Sequence, residues 1–123
     1  MSGALSQPFI VMKFGGTSVA RPENWDVIAR LARRHLESGK RVLIVHSALS
    51  GVSNALEALP AAAMDGRAEA AVAEIEARHR EFAGQAGLSI PPALELLFER
   101  IATLAAGIAL VGEASARVRA ELM

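Results

Sequence analysis

The chain has 123 residues, 52% of them apolar but only 4% aromatic, so one small domain with an aliphatic, alanine-rich core is feasible. Thirteen basic residues balance thirteen acidic ones, and a formal net charge of zero argues against nucleic acid as the main partner. Cysteine is absent, which excludes a disulfide framework and thiolate zinc sites; no stretch approaches the ~18–20 apolar residues of a membrane span, and no secretory leader pattern opens the chain. A soluble cytoplasmic protein is the expectation.

Residues 1–8 read as a small, polar leader closed by Pro8. Phe9-Ile10-Val11-Met12 is a short apolar run suited to a strand covered on both faces. Gly15-Gly16 breaks it. Pro22 suits a first helical position, and Trp25, Ile28, Ala29, Ala32 and Leu36 follow at helical spacing, with Gly39 closing the helix. Val42-Leu43-Ile44-Val45 is a second strand-like run. Strand, helix and strand in about forty residues predict a βαβ unit with parallel strands and a right-handed crossover.

A second small-residue loop, His46 to Asn54, leads into a helix near Val52 to Leu59. After Pro60 the composition turns to alanine, leucine and glutamate over 66–86 and 92–110, split by Gly87 and Pro91-Pro92. Leu94, Leu97, Phe98, Ile101, Leu104, Ala105 and Ile108 form one apolar stripe. Ala68, Val72, Ile75, His79 and Phe82 form a thinner one, and together they predict an antiparallel helical hairpin. Gly112-Glu113 is expected to open a short last helix. The pattern stops at Met123 without a cap, and two strands are too few for a free-standing parallel sheet. Residues 9–123 therefore read as the N-terminal portion of a longer α/β domain, truncated on its C-terminal side.

Ligands of open parallel sheets bind beyond the carboxyl ends of the strands, where both small-residue loops, 15–18 and 47–53, lie. Gly15 and Gly16 let backbone amides approach phosphate oxygens, and Lys13 supplies a cation at the strand end. The helix that follows would aim its N-terminus at the same region. In the second loop Ser47, Ser50 and Ser53 offer hydroxyls. Residues 1–60 hold seven Lys/Arg against four Asp/Glu, the sign expected of an anion-binding half. The pattern is neither a Walker P-loop nor G-x-G-x-x-G, because the lysine precedes the glycines. Physics alone leaves two readings open: an anion site, or a glycine turn with a solvated lysine.

K-F-G-G-T-S-V at Lys13 to Val19 resembles the N-terminal signature of aspartate kinases, in the amino-acid kinase family. V-H-S-A-L-S-G-V-S-N at Val45 to Asn54 is similar to that family's second loop, at the usual separation. The resemblance implies the start of an αβα sandwich with a crossover helix and helical hairpin. It also implies transfer of the ATP γ-phosphate to the β-carboxylate of L-aspartate, giving 4-phospho-L-aspartate, the first step of lysine, threonine and methionine biosynthesis. On that resemblance Lys13 would stabilise the transferring phosphoryl group. Lys13, Phe14, Gly15, Gly16, Thr17 and Ser18 would hold ATP, and Ser47, Ser53 and Glu113 the aspartate side. Magnesium would accompany ATP on ligands outside these residues. A homo-oligomer and a fusion to homoserine dehydrogenase or diaminopimelate decarboxylase are further implications. His46 occupies a position that is usually apolar or small in the family it resembles. Alternatives are another amino-acid kinase, or a non-catalytic helical interaction module built on the Leu94-to-Ile108 stripe.

Blander roles suit most other polar residues. His35 and the basic cluster Arg30, Arg33 and Arg34 read as a solvated helix face, His79 as a packed seam residue, and Trp25 as packing. No two histidines have metal-ligand spacing.

Overall fold

The computed structural model describes residues 7–123; of the leader expected over 1–8, only Gln7 and Pro8 fall among them, both exposed. The chain divides into two compact units, one ending at Ser50 and the other covering Gly51–Met123.

The first unit is the βαβ element. Strand β1 (Phe9–Phe14) pairs in parallel with β2 (Arg41–His46) in a register running from Phe9↔Arg41 to Phe14↔His46. Between them lie a single helical turn, α1 (Gly16–Val19), and the helix α2 (Pro22–Glu37). Pro22 stands at the start of α2, Glu23 lies in its first turn and Arg34 and His35 in its last, an order that complements the helix dipole. Gly39 ends it at φ +78°, where Gly39 N donates to Leu36 O (3.0 Å) and Lys40 N to His35 O (3.1 Å). This left-handed stop needs glycine because it carries no Cβ.

The expectation of a strand covered on both faces is corrected. β1 alternates between exposed and half-buried residues, and Val11 is 63% exposed and its register partner Leu43 50%. Alternation puts Ile10, Met12 and Phe14 on one face and Phe9, Val11 and Lys13 on the other. The run Phe9–Met12 is apolar throughout, and only Lys13, which continues the Phe9–Val11 face, marks the wet side. The Arg41 guanidinium lies 4.4 Å from the Phe9 ring centroid on that open face.

The second unit is wholly helical: α3 (Val52–Met64), α4 (Ala68–Ala86), α5 (Pro92–Val111) and α6 (Ala116–Leu122). Its core joins Leu59 and Ala63 of α3, Val72 and Ile75 of α4, Ala105 and Ile108 of α5 and Leu122 of α6. Each large aliphatic side chain buried there contributes about 1.5–3 kcal/mol relative to exposure. The helical hairpin forms as expected. At one end Arg80 of α4 makes two 2.8 Å hydrogen bonds to Glu95 of α5, and the His79 ring meets Phe98 edge-on at 5.4 Å. At the other end Ala68 and Val72 share a cleft of about 400 Å³ with Ala105 and Ala106, so the helices run antiparallel. The Arg80 guanidinium draws the Glu95 carboxyl below its ordinary pKa, chiefly through the hydrogen bonds, and is itself raised by them.

Two boundaries differ from expectation. Helix α3 continues past Pro60 to Met64, with Pro60 buried inside it. A proline in a helix costs about 3 kcal/mol in lost hydrogen bonding and crowding, which burial of Leu59, Pro60, Ala62 and Ala63 together offsets. Gly112-Glu113 does not open the last helix. Gly112, at φ +80°, stops α5, and Ser115 caps α6 by accepting a hydrogen bond from Val118 N at 3.2 Å. None of the helices among the described residues is long and apolar enough to cross a membrane.

Candidate functional site

In the first unit the residues of interest gather at the carboxyl ends of the paired strands. Lys13 is opposite Val45 in the ladder, and its side chain is exposed on the sheet face shared with Val11. The ladder extends one residue beyond β2, because Ser47 N donates to Phe14 O at 3.1 Å. Ser47 is therefore fixed beside the residue that precedes the glycine pair.

The two glycines differ. Gly15 caps α1 in an extended conformation (φ −79°, ψ 171°) open to any residue, and a Cβ there would meet nothing within 4 Å. A Cβ on Gly16 would lie 3.0 Å from the Ala48 carbonyl oxygen and 3.5 Å from Ser50 N and Cα. The first loop thus abuts the second, and a side chain at Gly16 would require the Ala48 carbonyl to give way. Thr17 is exposed and Ser18 half-buried within the same turn.

The expectation that the long helix points its N-terminus at this region is corrected. The turn at the glycine pair is α1, whose bonds run from Val19 N to Gly15 O and from Ala20 N to Gly16 O, both 3.1 Å. Its leading amides have no carbonyls behind them within the helix. Helix α2 starts at the far end of that turn. Asn24 Nδ2 donates to Ser18 O (2.8 Å) and Trp25 Nε1 to Val19 O (2.9 Å), satisfying carbonyls that a one-turn helix leaves free. Four residues are too short for periodicity to reveal α1, and nothing in the sequence marks those two side chains as its braces.

His46, at the last rung of the ladder, is exposed and donates from Nδ1 to the carbonyl of Ser47 at 2.9 Å. Its ring meets Trp25 edge-on, with centroids 5.4 Å apart and planes 85° to each other. Trp25 is the chain's single tryptophan. The packing role expected for it holds, with a hydrogen-bonding role beside it.

Ser53 and Glu113 belong to the second unit. Ser53 is exposed in the first turn of α3, directly after Gly51 (φ +86°) and the buried Val52. Glu113 is exposed in the link between α5 and α6, where with Thr103, Gly107, Ile108 and Ser115 it borders a groove of about 330 Å³. A carboxylate at the edge of an apolar groove suits an ammonium-bearing ligand. Lys13, Gly15, Gly16, Thr17, Ser18 and Ser47 are thus brought together, whereas Ser53 and Glu113 stand on separate elements of the other unit. Among the described residues, no three His, Asp or Glu side chains converge as metal ligands would.

The sequence model of the amino acid kinase family matches residues 8–122, nearly the whole chain. A protein named aspartate kinase from Pseudomonas putida is 45% identical over 47 residues, which are 38% of this chain and 11% of that relative. The match therefore covers about a tenth of the relative's length.

Proposed function

The chain belongs to the amino acid kinase family, and from that premise we propose that it is the N-terminal segment of an aspartate kinase. The whole enzyme would transfer the γ-phosphate of ATP to the β-carboxylate of L-aspartate. The observation that carries this reading is the close approach of the two loops, with Gly16 against Ala48 and Ser50 and Lys13 on the adjoining strand. The likeness to the Pseudomonas putida aspartate kinase supports the choice of aspartate among the family's acceptors.

Phosphoryl transfer to a carboxylate needs alignment and charge neutralisation more than a protein nucleophile or base, since the acceptor is already ionised. Amides of the Gly15–Ser18 turn would take phosphate oxygens, in the open space where Gly15 lacks a side chain. Lys13 would balance charge that develops on the transferring group. Ser47 would orient the acceptor next to it, and Ser53 and Glu113 would hold the hydroxyl-binding and ammonium-binding ends of aspartate. Magnesium would arrive with ATP, on ligands outside these residues. A homo-oligomer and a cytoplasmic location accompany the proposal.

The test is a coupled assay of the full-length protein with Mg-ATP and L-aspartate, reading 4-phosphoaspartate as its hydroxamate. Lys13→Ala should lower kcat by roughly 10²–10³, the loss expected when one preorganised charge-stabilising donor is removed. Near-normal turnover in that variant would rule out the role given to Lys13. Of the stripe behind the rival interaction-module reading, Phe98, Ala105 and Ile108 are buried within the helical unit and Leu97 is exposed.

A further inference from the structure

We propose that Trp25 and His46 form a positioning strut that sets the spacing between the glycine turn and Ser47, and so governs the rate of phosphoryl transfer; this rests on the kinase reading above. The strut runs from Val19 O through the Trp25 indole to the His46 ring and on to Ser47 O. Both ends are anchored. Val19 closes the single turn that begins at Gly16, so holding its carbonyl holds the turn carrying the Gly15 and Gly16 amides. Ser47 is gripped twice, its N–H by Phe14 and its carbonyl by His46.

The choice of histidine at the last rung follows from these two demands. A valine or leucine would continue the apolar run of β2 but would offer the Ser47 carbonyl no donor. A serine or asparagine would supply a donor but no ring edge for Trp25. Histidine supplies both, and it stands on the same sheet face as Phe14, its partner in the register. Neither Trp25 nor His46 reaches a reacting atom in this scheme. They act through the backbone of the two loops, which makes them positioning residues.

Alignment of donor and acceptor is sensitive to small displacements; a shift of about 1 Å can cost up to ~10²-fold in rate while leaving ground-state binding in place. Three variants of the full-length protein separate the parts. His46→Phe keeps the ring edge and deletes the donor to Ser47. His46→Asn keeps an N–H at the place of Nδ1 and deletes the ring. Trp25→Phe deletes the donor to Val19. We expect His46→Phe and Trp25→Phe to lower kcat roughly tenfold with both KM values within about twofold of the parent. His46→Asn should lower kcat by a similar factor, because the strut needs both the ring contact and the bond to Ser47. A residue needed only for folding would reduce the melting temperature and the active fraction without splitting kcat from KM in this way. Unchanged kcat in both His46→Phe and Trp25→Phe overturns the proposal, as does a His46→Asn variant with the parental kcat.

A readout independent of catalysis separates failure of the strut from failure of the kinase reading. The indole N–H of Trp25, unique in the chain, gives one amide-type NMR resonance. In His46→Ala it should move as the ring edge is withdrawn, and an unmoved resonance overturns the contact. If His46→Ala shows this shift yet the parent never phosphorylates aspartate, the kinase assignment is refuted and with it the effect on rate.

Discussion

Gly15 and Gly16 are neighbours of identical chemistry, yet a methyl group on each meets different surroundings. On Gly16 it would press on the Ala48 carbonyl at 3.0 Å, and on Gly15 it would project into open space at an ordinary φ. Gly16→Ala should therefore destabilise the first unit by about 1–3 kcal/mol, read as a lowered melting temperature. Gly15→Ala should leave the melting temperature unchanged or slightly raised, since alanine restricts the unfolded chain more than glycine does. It should nevertheless raise the KM for Mg-ATP, because its methyl would occupy the space assigned to phosphate oxygens. Equal thermal effects of the two substitutions would contradict the packing described for Gly16, and an unchanged nucleotide KM in Gly15→Ala would contradict the phosphate assignment. Ser53→Ala and Glu113→Gln should mainly raise the KM for aspartate, with Ser53→Thr tolerated; unaltered values in the first two would remove both residues from the acceptor site.

Between elements, the hairpin of α4 and α5 carries the one ion pair that visibly shifts a carboxyl group among the described residues. Glu95 has a folded pKa below its ordinary value of 4.5, chiefly because Arg80 hydrogen-bonds it. A depressed pKa means that the stabilising effect is complete above that ordinary value and is lost as pH falls through the folded value. The pair is exposed, so the effect is small. Thermal melts between pH 6 and 2.5 should show an acid-dependent decrement that Arg80→Met removes. Identical profiles for parent and variant would sink the assignment.

At this same scale the sequence was legible wherever a physical signal was strong. The apolar runs, Pro22 and Gly39 marked the βαβ element, and Gly87 with Pro91-Pro92 marked the hairpin turn. It misled where one residue type serves two purposes. Pro60 reads as a break, but neighbours buried on α3 carry the helix through it. Gly112 reads as the start of a helix but is the left-handed stop of the preceding one. The bracing of α1 by Asn24 and Trp25 was hidden because a side-chain bond to a carbonyl six residues back leaves no periodic trace.

For the molecule as a whole, the feature that most affects behaviour in solution is the open face of the two-stranded sheet. Phe9, Val11, Leu43 and Val45 are each between 43% and 63% exposed there. Contiguous apolar surface with unpaired strand edges favours association. The 123-residue chain expressed by itself should sediment as species larger than 12.9 kDa, in a concentration-dependent way. Val11→Lys combined with Leu43→Glu, an opposite-charge pair at one rung of the register, should shift it toward monomer. Sedimentation at the monomer mass across the whole concentration range would refute the prediction. The open face also bears on the candidate site, because Lys13 stands among these apolar residues. A cover over that face would change the water around the ammonium, and with it the strength of its attraction to an anion.

The parallel pairing of β1 with β2 has a consequence for synthesis on the ribosome. Phe9 finds its partner only at Arg41, so the first strand leaves the exit tunnel with no mate and must wait for some thirty further codons, about 2–6 s at bacterial or eukaryotic speeds. Helix α2 is the only long element made in that interval. Its early coiling shortens the gap to be closed, and a slow codon cluster before Arg41 would prolong the time in which a nascent, sticky ribbon is open to chaperones.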